Sequence, residues 1–278
     1  MAAADQRRDR ARPVIPAASI THWSRGAPWP SPDQVEQDLL LSRLICEIAS
    51  HPMLGDELVF RGGTCLHKLH LPQSMRYSED LDYVRAAHGP IGPLFDALRE
   101  VAVALGMDAA TDVGPYPKFF CRSTFESGTG RLQVKVEINT YETSPARPHI
   151  RLGYQVQSPW WSGAADVLTF EPAELMATKV RALYQRRKGR DLFDLWLALT
   201  QMGLGPDDIL GCFGPYRPDG YTAGLAVANL AEHVADPGFR SDLLDLTTES
   251  GGYDIEEAAA IVTEHLLRHV DRSAGPVA

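Results

Sequence analysis

Phe60-Arg61-Gly62-Gly63-Thr64-Cys65-Leu66, followed by Arg76-Tyr77-Ser78-Glu79-Asp80-Leu81-Asp82, is the stretch on which the reading of this chain turns. Glu57 to Phe60 reads as a short strand, the glycine pair as a turn, and the residues up to Leu71 as a short helix. Leu81 to Val84 reads as a second strand. Its period of two puts Asp80 and Asp82 on one face, with Leu81 toward the core. Two neighbouring anions repel and raise each other's pKa, which is tolerable when a divalent cation sits between them. Mg²⁺ suits hard oxygen donors combined with phosphates. The competing reading is a solvated acid pair at a strand edge. At Gly62-Gly63-Thr64, backbone amides can approach a triphosphate and the helix N-terminus adds a favourable dipole.

Working outward, Arg131 to Asn139 alternates cleanly. Leu132, Val134, Val136 and Ile138 share one face, and Gln133, Lys135, Glu137 and Asn139 share the other. Glu137 can therefore stand as a third carboxylate beside the aspartates, or as an exposed strand acid. Phe119 to Phe125 reads as its hairpin partner across Ser127-Gly128-Thr129-Gly130. Helices are predicted over 31–51, where Ser31-Pro32-Asp33 is a start signal, and over 90–105. After a Pro/Gly/Trp-rich stretch at 143–163, further helices are predicted over 171–187, 189–201, 221–234 and 254–270. These elements describe a basic, flexible arm over 1–30, a mixed domain over 31–165 and a helical domain over 166–278.

The run from Lys179 to Arg190 holds Lys179, Arg181, Arg186, Arg187, Lys188 and Arg190 without an acid. It reads as a grip for triphosphate or an RNA backbone, or as a solvated helix face. Asp191 and Asp194 follow at i, i+3, placed to orient those cations or to cap the helix.

Composition narrows the field. The chain has 278 residues, 44% hydrophobic and 23% charged, and a formal charge of −9, which excludes a uniformly basic nucleic-acid coat. No apolar run approaches a membrane span, and Met1 to Arg12 carries no apolar signal core. Cys46, Cys65, Cys121 and Cys212 stand far apart, which fits a reducing cytoplasm better than a zinc module or disulfide framework. His67 and His70 read as packing residues or as minor participants at the nucleotide pocket rather than zinc ligands, and Trp160-Trp161 as an anchor between the two halves, with base stacking as the alternative. The apolar face of 255–270 reads as core. No GxxxxGK[ST], HExxH or GxSxG is present.

Taken together, the motif from Phe60 to Leu66 and from Arg76 to Asp82 resembles the first motif of the AbiEii/AbiGii-type, MenT-like nucleotidyltransferases. These are toxins of type IV toxin–antitoxin and abortive-infection systems, in the DNA polymerase β-like superfamily. Val136-Glu137-Ile138 resembles the family's acidic motif, Glu174 to Leu183 its lysine motif, and Arg187 to Leu195 its closing aspartate motif. The fifteen residues between Thr64 and Asp80 are long for the first motif, and a loop containing Leu71-Pro72-Gln73-Ser74 is expected to absorb the excess. The last motif does not decide between Asp191 and Asp194.

The resemblance implies an α+β fold: a polymerase β-like N-terminal half followed by a helical C-terminal half. It implies transfer of NMP from an NTP to an acceptor hydroxyl, the preferred acceptor being the 3′ end of tRNA. The implied roles are Mg²⁺ on Asp80 and Asp82, Glu137 on the acceptor hydroxyl, and Lys179 on the transferred or leaving phosphate. Gly62, Gly63, Thr64, Ser78 and Arg190 would contact the nucleotide. Arg76 and the basic arm would meet the acceptor's phosphates. A cognate antitoxin is implied as partner. Ser78 itself lies two residues before Asp80, where its phosphorylation would set negative charge beside the carboxylates and switch the enzyme off; the alternative is a serine that merely opens the strand. The rival reading keeps the same site for a small-molecule or protein acceptor.

Overall fold

The computed structural model describes residues 15–128, 130–247 and 252–272, so the basic segment Met1 to Arg12 lies outside the described residues. Leu58–Arg61 (β1), Asp80–Arg85 (β2), Asp108–Asp112 (β3), Lys118–Thr124 (β4), Arg131–Asn139 (β5), Ile150–Gln157 (β6) and Ser162–Thr169 (β7) form one sheet. Their order is β3-β4-β5-β2-β1-β7-β6, with β2 parallel to β5, β1 parallel to β7, and the other pairs antiparallel. Leu132, Val134, Val136 and Ile138 are each 0% exposed, so the alternation read from the sequence is the core face of β5. Burying such a side chain contributes about 1.5–3 kcal/mol before ordering entropy is subtracted.

Helices Ala17–Trp23 (α1), Pro32–Ser50 (α2), Leu54–Glu57 (α3), Gly62–Cys65 (α4) and Gly92–Ala104 (α5) belong to the sheet-bearing half. α2 opens with a reciprocal capping box between Ser31 and Gln34 and buries Leu39, Leu40, Leu44 and Ile45. It packs on β5, β6 and β7, covering the apolar side of the sheet. α4 continues as a π-helical turn over Leu66–His70. The loop after it folds back, with the Met75 N–H donating to His67 Nδ1 (3.1 Å) and Ser74 Oγ to the His67 carbonyl (2.8 Å). That turn and loop take up the long spacing between Thr64 and Asp80.

Among the described residues from Pro172 onward the elements are helices: Pro172–Gln185 (α6), Gly189–Thr200 (α7), Pro206–Gly211 (α8), Ala223–Ala235 (α9), Pro237–Ser241 (α10) and Ile255–His265 (α11). Ala258, Val262, Leu266, Leu267 and Val270 are buried, as the apolar face of 255–270 requires. The α+β arrangement is the one expected.

Three expectations need correction. The sheet runs on to Thr169, because 143–163 contains β6 and the start of β7 rather than a connection. β7 opens Ser162-Gly163-Ala164-Ala165-Asp166, residues of low strand propensity held in place by pairing with β6. Residues 15–30 are no loose arm: Ile15, Ala27 and Trp29 are buried, and Trp23 Nε1 donates to Asp38 (2.8 Å). Trp160 and Trp161 lie at the β6–β7 turn under the Arg43 guanidinium of α2, 4.8 and 5.2 Å from its carbon, and so do not join the two halves.

Candidate active site

β2 runs parallel to β5 with Asp80 opposite Lys135 and Asp82 opposite Glu137. Register partners share a face, so three carboxylates and one ammonium converge on the polar side of the sheet. Lys135 Nζ lies 3.0 Å from Asp80 and 3.3 Å from Glu137. Burial pushes the Asp82 carboxyl above its ordinary value; Asp80 and Glu137 add to that, and Arg61 and Lys135 oppose it only in part. Asp80 is raised as well, by burial first, against the counter-effect of Lys135.

Gly62 begins α4 with φ +83°, in the left-handed region, and a Cβ there would collide with the Asp82 carboxylate. At Gly63 a Cβ would collide with the Arg76 guanidinium. The glycine pair thus lets the helix start press against the acid-bearing strand. Thr64 is buried and its hydroxyl lies 2.5 Å from the Asp80 carbonyl and 2.9 Å from Ser78 Oγ. It ties the helix to the entry of β2, so the phosphate contact expected of Thr64 is replaced by an internal one. Ser78 precedes β2, which begins at Asp80, and sits beside this hydroxyl.

An open cleft is lined by Arg61, Gly62, Asp82, Glu137, Lys179 and Arg186, among others. A second lobe shares Arg61, Asp82, Glu137, Arg181 and Gln185, and adds Tyr83, Tyr116, Asn139 and Glu142. Asp82, Glu137 and Lys179, separated by nearly a hundred residues of sequence, therefore face one space. Arg181 grips Glu142 at 2.7 and 3.0 Å, and Arg61 reaches the same carboxylate at 2.5 Å. Burial alone would raise the Glu142 carboxyl, but these two guanidinium groups hold it down at about 2.

Behind the cleft, Asp191 and Asp194 are both 0% exposed and neither lines it. Lys179 Nζ lies 3.1 Å from Asp191 and 2.8 Å from Asp194. Arg186 adds two bonds to Asp191, at 2.6 and 2.8 Å, and Arg76 two to Asp194, at 2.8 and 2.7 Å. Both aspartates contact Lys179, so these contacts do not single out one of them. Arg76, 2% exposed, is spent on Asp194 and has no surface to offer a phosphate backbone. His67 Nδ1 accepts from Met75, which leaves the proton on Nε2, 3.1 Å from Asp194 Oδ1. Burial holds His67 at about 4, so it packs as the neutral ring.

The basic run divides. Lys179, Arg181 and Arg186 line the cleft, whereas Lys188 and Arg190 turn to Asp242 and Arg187 to Asp236. The Arg190 backbone N–H also donates to Asp242 (3.2 Å), so the expected nucleotide contact at Arg190 is not made from the cleft. The sequence reading overlooked Arg61, Glu142, Tyr116 and the role of Lys135. Only Lys135 had a signal, since it alternates in phase with Glu137.

Nucleotidyltransferases generally work with a divalent metal ion. Among the described residues, no group of three or more His, Cys, Asp or Glu side chains is arranged to hold one unaided. Mg²⁺ needs only one or two carboxylates when substrate phosphates complete its shell. Asp82, which lines the cleft, and Asp80, on the same face of β2 but paired with Lys135 and outside the cleft lining, are the oxygen donors that fit that requirement.

No curated protein matches the sequence significantly. Among solved structures, JHP933 from Helicobacter pylori is 18% identical, with a TM-score of 0.48 over 87% of this chain and 95% of that one. The nucleotidyltransferase toxin MenT4 from Mycobacterium tuberculosis H37Rv is 19% identical, with a TM-score of 0.46 over 87% and 98%. The family model described as nucleotidyl transferase AbiEii toxin of type IV toxin–antitoxin systems matches residues 43–259, and to that family of nucleotidyltransferases the chain belongs.

Proposed function

We propose that the cleft moves a nucleoside monophosphate from an NTP to the 3′-terminal hydroxyl of tRNA, with Mg²⁺, releasing pyrophosphate. The observation that carries this reading is Asp82 opposite Glu137 in register, in a cleft that also holds Gly62, Lys179 and Arg186. A divalent ion held by Asp82 and Asp80 would supply positive charge at the reacting phosphate. Glu137 orients the acceptor hydroxyl and takes its proton. Gly62, lacking a side chain, lets a phosphate oxygen approach the backbone. Lys179 has three N–H donors; two face Asp191 and Asp194, and the third serves the departing pyrophosphate together with Arg186. Asp191 and Asp194 act through Lys179 as positioning residues.

Family membership implies an antitoxin partner. Phosphate on Ser78 would bring about two negative charges next to Thr64 and the start of β2, opposing a nucleotide phosphate there. Four free, buried cysteines suit a cytoplasmic setting, and among the described residues no helix is long and apolar enough to cross a membrane. The test is incubation with each labelled NTP and total tRNA. One label should enter the tRNA 3′ end and be lost on chelation of divalent metal. Label entering a small molecule or protein but no RNA would replace this acceptor.

A further inference from the structure

We infer that Tyr116 and Tyr141 form a stacking platform for the terminal nucleobase of the acceptor strand, at the second lobe of the cleft. The inference rests on the nucleotidyl-transfer reading above and names where its acceptor docks. The two rings are 55% and 63% exposed, so their burial contributes little to the fold. They meet edge to face with centroids 6.0 Å apart, an arrangement that braces one ring against the other and leaves faces open.

Their backbone is fixed. Asn139 Oδ1 accepts from the N–H groups of Tyr141 (2.8 Å) and Glu142 (3.0 Å), closing the turn that follows β5. Pro115 and Pro117 bracket Tyr116, and the Pro117 carbonyl accepts from Ile138 (2.9 Å). Exposed aromatic rings on a constrained backbone lose little entropy when a flat ligand covers them.

Placement decides which base they receive. Gly62, Lys179 and Arg186 lie in the first lobe, so the pyrophosphate leaves there. In-line displacement brings the attacking hydroxyl from the opposite side. The second lobe adjoins the first across Asp82 and Glu137 and adds Tyr116 to the wall, and it is the space assigned to that approach. Lys118, opposite Glu137 in the β4–β5 register and on the same face, is placed for the phosphate of the incoming strand.

The test compares wild type, the Tyr116→Ala/Tyr141→Ala double variant and the matching Phe variant. Steady-state rates are measured with tRNA varied at saturating NTP, then with NTP varied at saturating tRNA. A thermal melt checks the fold. The Ala variant should raise the KM for tRNA about tenfold or more, with the KM for NTP within about twofold, and the Phe variant should behave as wild type. In a second arm without NTP, an RNA oligonucleotide ending in 2-aminopurine should lose fluorescence on binding wild type and retain it with the Ala variant. An NTP-side KM change, unchanged kinetics, or equal quenching by both proteins would overturn the platform. If wild type transfers nothing to RNA, the functional reading fails, and the quenching arm still decides the platform.

Discussion

A half-buried cluster of charge on the strands and a buried one on the helices behave in opposite ways. In the strand cluster, Asp80 and Asp82 are raised above the ordinary carboxylate range. In the helix cluster, Asp191 is lowered and Asp194 lowered further still. Burial acts upward on all four, so desolvation does not separate them; their partners do. Asp191 and Asp194 meet Lys179, Arg186 and Arg76 at hydrogen-bond distance. Asp80, Asp82 and Glu137 share Lys135, while Arg61 is already engaged by Glu142. A satisfied network is suited to holding a lysine still. An under-compensated one is suited to taking up positive charge from a substrate complex.

Removing one acid from each cluster tests that contrast. Asp82→Asn should lower nucleotide transfer about 10³-fold or more in single-turnover assays. Its melting temperature should hold or rise, since a desolvated anion with two anionic neighbours is gone. Asp80→Ala should likewise abolish transfer with the fold intact. Asp194→Ala should do the reverse kind of damage: it strands the Arg76 guanidinium in the interior and should cost about 3–5 kcal/mol in urea denaturation. A stable Asp194→Ala protein, or an Asp82→Asn protein that unfolds early, would erase the distinction.

The two clusters also differ in how far the sequence disclosed them. Asp80, Asp82 and Glu137 are legible because strands have a period of two, and alternation against fully apolar positions names the face. The register that sets Asp82 opposite Glu137 is not local, since it depends on β5 entering the sheet beside β2. In the helix cluster the cations read as a grip for triphosphate or RNA or as a solvated helix face, and the aspartates as orienting them or capping the helix, with nothing to show that the set is buried. A run of cations followed by two aspartates looks the same whether solvated or folded inward, and only α6 packing on α7 buries it. Arg76 and His67 join it from a loop and a π-turn, elements whose paths no periodicity announces. β6 and β7 were missed for a different reason: Gly153, Gly163 and the small residues of β7 mask the alternation that Leu152, Tyr154 and Val156 keep.

A smaller effect probes the edge of the helix cluster by pH. His67 is held at about 4 in the fold against about 6.5 in an unfolded chain. Between those values the unfolded state binds the extra proton, so stability rises with pH. His67 therefore contributes nothing against folding above about pH 6.5 and weakens the protein as pH falls toward 4. The slope is on the order of 1.4 kcal/mol per pH unit at most. His70, also lowered to about 4 by burial, adds to it. Glu36, raised to about 7 chiefly by burial, opposes it across much of the same range. Stability of His67→Gln measured from pH 7 to 4.5 should show a flatter dependence than wild type by about one proton. Parallel curves would mean that the ring is already protonated beside Asp194.

The smallest effect belongs at the rim, where the contrast between spent and unspent charge meets the RNA question. Arg187 and Lys188 are 62% and 46% exposed and face Asp236 and Asp242 at 3.8 and 3.2 Å. Asp236 already accepts from the Phe239 N–H at the start of α10, and Asp242 from the Arg190 N–H. Exposed pairs of this kind are worth about 0–1 kcal/mol, so Arg187→Ala and Lys188→Ala should each shift stability by less than about 0.5 kcal/mol. They should also leave the salt dependence of tRNA binding unchanged. If either cation left its acid to hold a phosphate, the log–log salt slope would fall by about 0.7–0.9 for that substitution. A drop of that size would show that the rim charges are held in reserve, and that the strand cluster is not the molecule's sole open account with its substrate.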